Sequence, residues 1–136
     1  LKISDLHILN TFKDAAKNTA LILSVLDQNE IKLRQQFQER IKESFAKVQA
    51  LKISVSPSLL ERMQIDGGGV EFVKRILHDE MASGDMKSGF KKLEEHIPHK
   101  VELSLEYLVI QPQFISLFTS EEVEFCKKLM AKYNLS

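Results

Sequence analysis

The sequence contains one cysteine, no tryptophan and three prolines, and these shortages exclude some classes of structure. Because Cys126 is alone, the chain cannot form an internal disulfide, so a fold held together by disulfides is excluded. A free thiol suits a reducing compartment, and we therefore expect a cytoplasmic or otherwise intracellular protein. Every glycine and proline lies at or after Pro57, so no strong helix breaker precedes that residue.

Neither sign of charge dominates, because 19 basic and 19 acidic side chains give a net charge of zero. Nucleic acids and anionic membranes usually attract proteins with a basic excess. The most apolar stretch, residues 20–26, is far shorter than the roughly 20 residues that a membrane-spanning helix needs. We therefore predict no membrane span. The chain opens on Leu1 rather than methionine, and we expect residues 1–136 to be a single helical domain from a larger protein.

Apolar residues recur at helical spacing through the first third of the chain. One such stripe predicts a central helix over Leu6–Leu26, and a second predicts a helix over Glu30–Leu51. The weak helix formers in residues 27–29 favour a turn between them. A short connection makes two helices antiparallel, so the sequence predicts an N-terminal helical hairpin. The first stripe comprises Leu9, Phe12, Ala16, Thr19, Leu23 and Leu26, and the second Leu33, Phe37, Ile41, Phe45, Val48 and Leu51.

Shorter helices are predicted downstream, covering the apolar faces of the hairpin. Gly84 ends a helix that begins at Val70, and the capping-box pattern of residues 119–122 opens the last helix. Residues 101–110 fit either a helix or a strand paired with residues 52–56. We favour the helix, because an isolated two-stranded pair is marginally stable in water. The predicted fold is all-α, with five to seven helices and, as the alternative, a minor two-stranded β element at 52–56 and 101–109.

Three groups of side chains are weak candidates for a chemical site. Arg75 and His78 are three residues apart on one predicted helix, so His78 could act as a general base in a small hydrolase or nuclease. His96 and His99 resemble a metal pair, but Pro98 interrupts their helical spacing and further ligands are missing. Cys126 falls on an apolar helix side, which is typical of an inert thiol. We expect no metal and no cofactor.

The three glycines of residues 67–69 precede a helix, where backbone amides can bind phosphate. They lack the Gly-Lys-Ser/Thr ending of a phosphate-binding loop, so we interpret them as a link between helices. The aromatic cluster after Pro112 and the apolar side of the last helix predict that the C-terminal segment completes the core.

Basic residues on the second helix, among them Lys32, Arg40 and Lys47, are the best candidates for nucleic-acid binding. Glutamates share their face, which is typical of a solvated, ion-paired helix. Nucleic acid is therefore the alternative partner. We expect a non-catalytic adaptor or scaffold module that binds another protein or another domain of the same chain.

Overall fold

The computed structural model describes the backbone of residues 3–135 and the side chains of residues 27–135. Within residues 3–135 the chain forms six α-helices and two short 3-10 helices, and no strand. The predicted all-α class is confirmed, and the number of helices lies within the predicted range. The alternative β element is wrong, because residues 53–56 have no regular structure and residues 101–109 are mostly helical.

The α-helices are α1 (Ile3–Ala50), α2 (Leu59–Ile65), α3 (Gly69–Ser83), α4 (Ser88–Glu95), α5 (Leu105–Val109) and α6 (Ser120–Ala131). The 3-10 helices are Val101–Leu103 and Ile115–Leu117. The chain divides into two units, Leu1–Lys32 and Leu33–Ser136.

The first unit contains one helical element, part of α1, among the residues whose backbone is described. This helix continues through residues 27–29, so the predicted turn is wrong and the antiparallel hairpin is not confirmed. Aspartate and asparagine are weak helix formers, but each costs only up to about 0.7 kcal/mol relative to alanine, and the glutamine between them is a good helix former. Without glycine or proline, nothing forces the helix to end. The predicted burial of the Leu6–Leu26 stripe concerns side chains outside the described residues.

In the second unit, residues 33–50 of α1 provide one side of the hydrophobic core. Phe37, Ile41 and Val48 are buried at helical spacing. The ring of Phe37 meets Phe114 and Phe118 edge to face, with centroids 5.2 and 5.3 Å apart. The segment after Pro112 therefore packs against α1 and completes the core, as its apolar pattern predicts.

The connection between α2 and α3 brings the start of α3 directly against α1. Gly67 and Gly68 have φ angles of 97° and 121°, which favour glycine. The amide of Gly69 donates a hydrogen bond to Oε1 of Gln38 at 3.0 Å. A Cβ atom on Gly69 would lie 2.9 Å from Cδ1 of Ile41. The glycines thus permit a close approach between two helices.

Candidate functional site

A polar cluster joins α3 to the start of α6, and its centre is the buried carboxylate of Glu122. Lys74 and His78 lie one turn apart on α3. The Lys74 ammonium donates to Oε1 of Glu122 at 3.0 Å, and Nε2 of His78 lies 2.8 Å from Oε2. Glu122 is only 1% exposed, whereas the side chain of His78 is 63% exposed. One buried acid is therefore held by two bases that reach the surface.

The start of α6 fixes Glu122 in place through the predicted capping box. The Thr119 amide donates to Oε1 of Glu122 at 2.8 Å, and the Glu122 amide donates to the Thr119 hydroxyl at 3.2 Å. Burial raises the pKa of the Glu122 carboxyl, but the Thr119 amide, the Lys74 ammonium and His78 together outweigh burial. The pKa is held below its usual range, so Glu122 is an anion at neutral pH.

The ionised carboxylate sets the orientation of the His78 ring. Because a carboxylate can only accept hydrogen bonds, Nε2 of His78 must carry the proton that it shares with Glu122. In the neutral ring Nδ1 is then an acceptor, and the described residues form no hydrogen bond with it. A histidine oriented by a carboxylate is the usual arrangement of a general base. The cluster can therefore accept a proton at Nδ1.

The structure does not bring Arg75 into this cluster. Its guanidinium instead pairs with Asp66, with Nη1 of Arg75 3.3 Å from Oδ1 of Asp66. Sequence reasoning selected His78 but missed Glu122 as its partner. The sequence does mark Glu122 as the glutamate of the capping box, but this pattern indicates only where a helix begins.

The two other histidines of the sequence analysis have separate partners. Nδ1 of His96 lies 2.8 Å from the carbonyl oxygen of Pro98. The His99 ring packs edge to face on Tyr133, with centroids 5.2 Å apart, and its Nδ1 is 3.8 Å from Glu102. Among the described side chains, no group of three or more histidine, cysteine or acidic residues could hold a metal ion.

A second acidic group, Glu80 and Glu106, was also missed by sequence reasoning. Glu80 on α3 is 1% exposed and Glu106 on α5 is 3% exposed. Burial raises the pKa of the neighbouring Cys126 thiol, and the charges of Glu106, Glu80 and Glu122 raise it further. Cys126 is therefore a protonated, unreactive thiol, which agrees with its predicted burial. One signal was available for Glu80, which follows Leu77 by three residues on the apolar side of α3.

The glycine run makes a hydrogen bond between helices, and the basic residues of α1 lie on an exposed face that also carries glutamates. The first amide of α3, from Gly69, is already bonded to Gln38, which agrees with its interpretation as a link. Arg40 lies 3.7 Å from Glu43, and its guanidinium lies 6.0 Å from the centre of the Phe114 ring. Lys32 and Lys47 are exposed on α1. The ion pairs of Arg40 with Glu43 and of Lys42 with Glu39 agree with a mixed, solvated face.

Comparison with family models, curated proteins and solved structures finds no match for this chain. None of the helices in the described residues has the length and apolar character that crossing a membrane requires.

Proposed function

We propose that this chain is a non-catalytic helical interaction domain, an adaptor or scaffold module. The observation that carries the proposal is the first unit, which has one helix and no second described element inside the unit to pack on it. The sequence places the stripe from Leu9 to Leu26 along one side of this helix. A single amphipathic helix is marginal in water until its apolar side is packed. A helix of another protein, or of another domain of the same chain, supplies that packing.

Photo-crosslinking tests this proposal, with one position on the stripe and one on the opposite side of a helical wheel. A photoreactive residue at Leu23 should give an adduct of discrete mass in an extract of the source cells. The same residue at Asn18 should give little or none. Equal labelling from both positions, or none from either, would contradict a helix-to-helix interface along this stripe.

Nucleic acid is the alternative partner, and it is also present in such an extract. The pairing of Arg40 with Glu43 reduces the positive charge that α1 offers to phosphates. A fluorescence-anisotropy titration with RNA and DNA at about 0.15 M salt should show no submicromolar affinity. Tight binding that is lost on replacing Lys32, Arg40 and Lys47 by alanine would favour the alternative.

The hydrogen bond between His78 and Glu122 supports a second candidate function, a small hydrolase or nuclease. In this candidate Nδ1 of His78 is the general base, and Glu122 holds the ring in the required tautomer. Hydrolysis of activated esters and phosphodiesters should fall by about 10²–10⁴-fold in His78→Ala. His99→Ala is the matched control and should keep the activity. Absence of hydrolysis by the unaltered chain would remove this candidate.

We also propose an intracellular location for this function. The single cysteine supports it, because Cys126 is buried and free and the fold uses no disulfide. Fractionation of the source cells, followed by detection of the chain, tests the location directly. Recovery from the extracellular or envelope fraction would contradict it.

A further inference from the structure

Glu80 and Glu106 form a pair of buried carboxyl groups inside the second unit. They come from two helices that pack together, α3 and α5, and they are 1% and 3% exposed. The groups are close enough that the charge of Glu80 raises the pKa of Glu106. Charged glutamates are rarely buried at this level without a cationic partner.

The surroundings of the pair are poor in compensating groups. Oε2 of Glu80 accepts a hydrogen bond from the Lys87 amide at 3.1 Å, while Oε1 is buried without a partner among the described residues. The Lys87 ammonium is directed to Asp79 at 3.1 Å, so it does not form an ion pair with Glu80. Glu80 also lies in the last turn of α3, where the helix dipole disfavours an anion.

The lysines near the pair are already bound to other carboxylates, Lys87 to Asp79 and Lys74 to Glu122. Burial is the main cause that opposes ionisation of Glu80 and raises its pKa, and the negative charge of Asp79 on α3 raises the pKa further, whereas the positive charge of Lys87 lowers it only in part. On α6, the Cys126 thiol is neutral, because burial and then the charges of Glu106, Glu80 and Glu122 raise its pKa. The charge of Glu122 is already balanced by the Lys74 ammonium, and its other oxygen is hydrogen-bonded to His78. No described element therefore brings an unused cation to the pair.

We propose that Glu80 and Glu106 are a proton-operated switch, which holds α3, α5 and α6 together when protonated and loosens their packing when ionised. A protonated carboxyl group has an O–H that can donate a hydrogen bond. Within the pair, such a bond would give Oε1 of Glu80 the partner that it lacks. Ionisation places charge in an apolar interior, where it can be stabilised only by admitting water. The interface between these helices is therefore where the second unit opens.

The direction of the pH dependence follows from the two carboxyls. Burial raises the pKa of Glu106 to about 8 and that of Glu80 to about 7, from 4.5 in an exposed chain. A raised pKa means that the folded unit binds protons more tightly than the unfolded chain does. The resulting stability is fully present below the unfolded value and is lost as the pH rises through the folded values. Opening therefore accompanies a rise through neutrality.

Urea unfolding of the full chain at two pH values tests the switch. For Glu106 alone, linkage predicts a roughly hundredfold increase in the unfolding equilibrium constant between about pH 5.5 and about pH 8.5. Glu106→Gln should remove this contribution, and the double variant with Glu80→Gln should remove nearly all of the pH dependence of unfolding over this range. Glu124→Gln, at an exposed position of α6, is the matched control and should keep the full increase.

A carbon-13 NMR titration of the unaltered chain keeps the test decisive if a variant does not fold. Two glutamate carboxyl signals should titrate near neutrality, well above the others. An unchanged pH dependence in a folded double variant, or titration of every glutamate in the usual acidic range, would overturn the proposal. Either result would leave the proposed interaction function untouched, because that function rests on the first unit.

Discussion

At the residue scale, the approach of α3 to α1 depends on the missing side chain of Gly69. An added Cβ would lie 2.9 Å from Cδ1 of Ile41 and 3.2 Å from the backbone Cα of Gln38. The Ile41 side chain can rotate only within a filled core, and the backbone of α1 cannot yield locally. We expect Gly69→Ala to lower the free energy of unfolding by about 1–3 kcal/mol, measured by urea denaturation.

Gly89 provides the matched control for this substitution. It lies within α4, and a Cβ atom there would meet nothing within 4 Å. Gly89→Ala should raise the free energy of unfolding by up to about 1 kcal/mol, because alanine is the better helix former. A Gly69→Ala variant as stable as the unaltered chain would show that α1 and α3 can separate without cost.

The carboxylate of Glu122 should make the second unit sensitive to acid. Because its pKa is held low in the folded state, its stabilisation is present above the unfolded value of 4.5 and is lost as the pH falls. Glu122→Gln removes the charge that binds Lys74 and weakens the cap of α6. We expect this variant to lower the free energy of unfolding by about 1–3 kcal/mol at neutral pH, measured by urea denaturation. On acidification it should then lose less stability than the unaltered chain does.

Glu121 tests whether this effect belongs to the cluster or to any charge at the start of α6. It lies next to Glu122 in the same first turn but is exposed. Glu121→Gln should change the free energy of unfolding by at most about 0.5 kcal/mol at any pH. Equal losses in the two variants would assign the effect to the helix dipole alone.

At the element scale, the decisive feature is that α1 continues through residues 27–29. Asparagine tolerates non-helical backbone angles, so it would stabilise a turn at this place, whereas it slightly destabilises a helix. Asn29 is exposed, so its replacement tests the backbone without disturbing a core. Asn29→Ala should increase the helix signal in circular dichroism at elevated temperature, and Asn29→Gly should decrease it. A higher helix signal in Asn29→Gly than in Asn29→Ala would indicate a turn at residues 27–29 and would support the hairpin.

The segment from residue 101 to 110 shows how an ambiguous pattern is resolved at this scale. The apolar alternation at Val101, Leu103 and Leu105 fits a strand, but the structure forms a 3-10 turn followed by α5. The Ser104 hydroxyl accepts a hydrogen bond from the Tyr107 amide and so begins α5. This local cap supplies a partner for the backbone, which a strand without a neighbour lacks.

At the scale of the whole molecule, the second unit needs its C-terminal segment. Phe114, Leu117 and Phe118 are buried, and α6 adds Val123 and Leu129 to the same core. Each large apolar side chain buried there contributes roughly 1.5–3 kcal/mol, so together they rival the net stability of about 5–15 kcal/mol of a domain. Truncation after Gln111 should leave the second unit unfolded or aggregated, as judged by size-exclusion chromatography and circular dichroism.

The Thr119→Ala variant separates loss of the segment from loss of its cap. It removes one hydrogen bond of the capping box but keeps every buried apolar group, and should cost only about 1 kcal/mol. A truncated chain that remains monomeric and melts like the full chain would mean that the segment is a detachable arm.

The helical class, the capping box at Thr119 and the packing role of the C-terminal segment could be predicted from the sequence by itself. Each depends on residue types a few positions apart, and helical periodicity makes such spacing directly readable. The helix end at Gly84 belongs to the same group, because its φ of 71° is a local requirement. At residues 27–29 local preference was not sufficient, since weak helix formers leave turn and helix nearly balanced in free energy.

Only the tertiary structure decided which side chains meet across the second unit. His78 and Glu122 are separated by 44 positions in the chain, and no local pattern encodes their pairing. The burial of Glu80 and Glu106 likewise depends on how α3, α5 and α6 pack. Glutamates are exposed in most helices, so their residue type predicted the opposite. The charges of the candidate site were therefore visible in the sequence, but their partners and their solvation were properties of the packed fold.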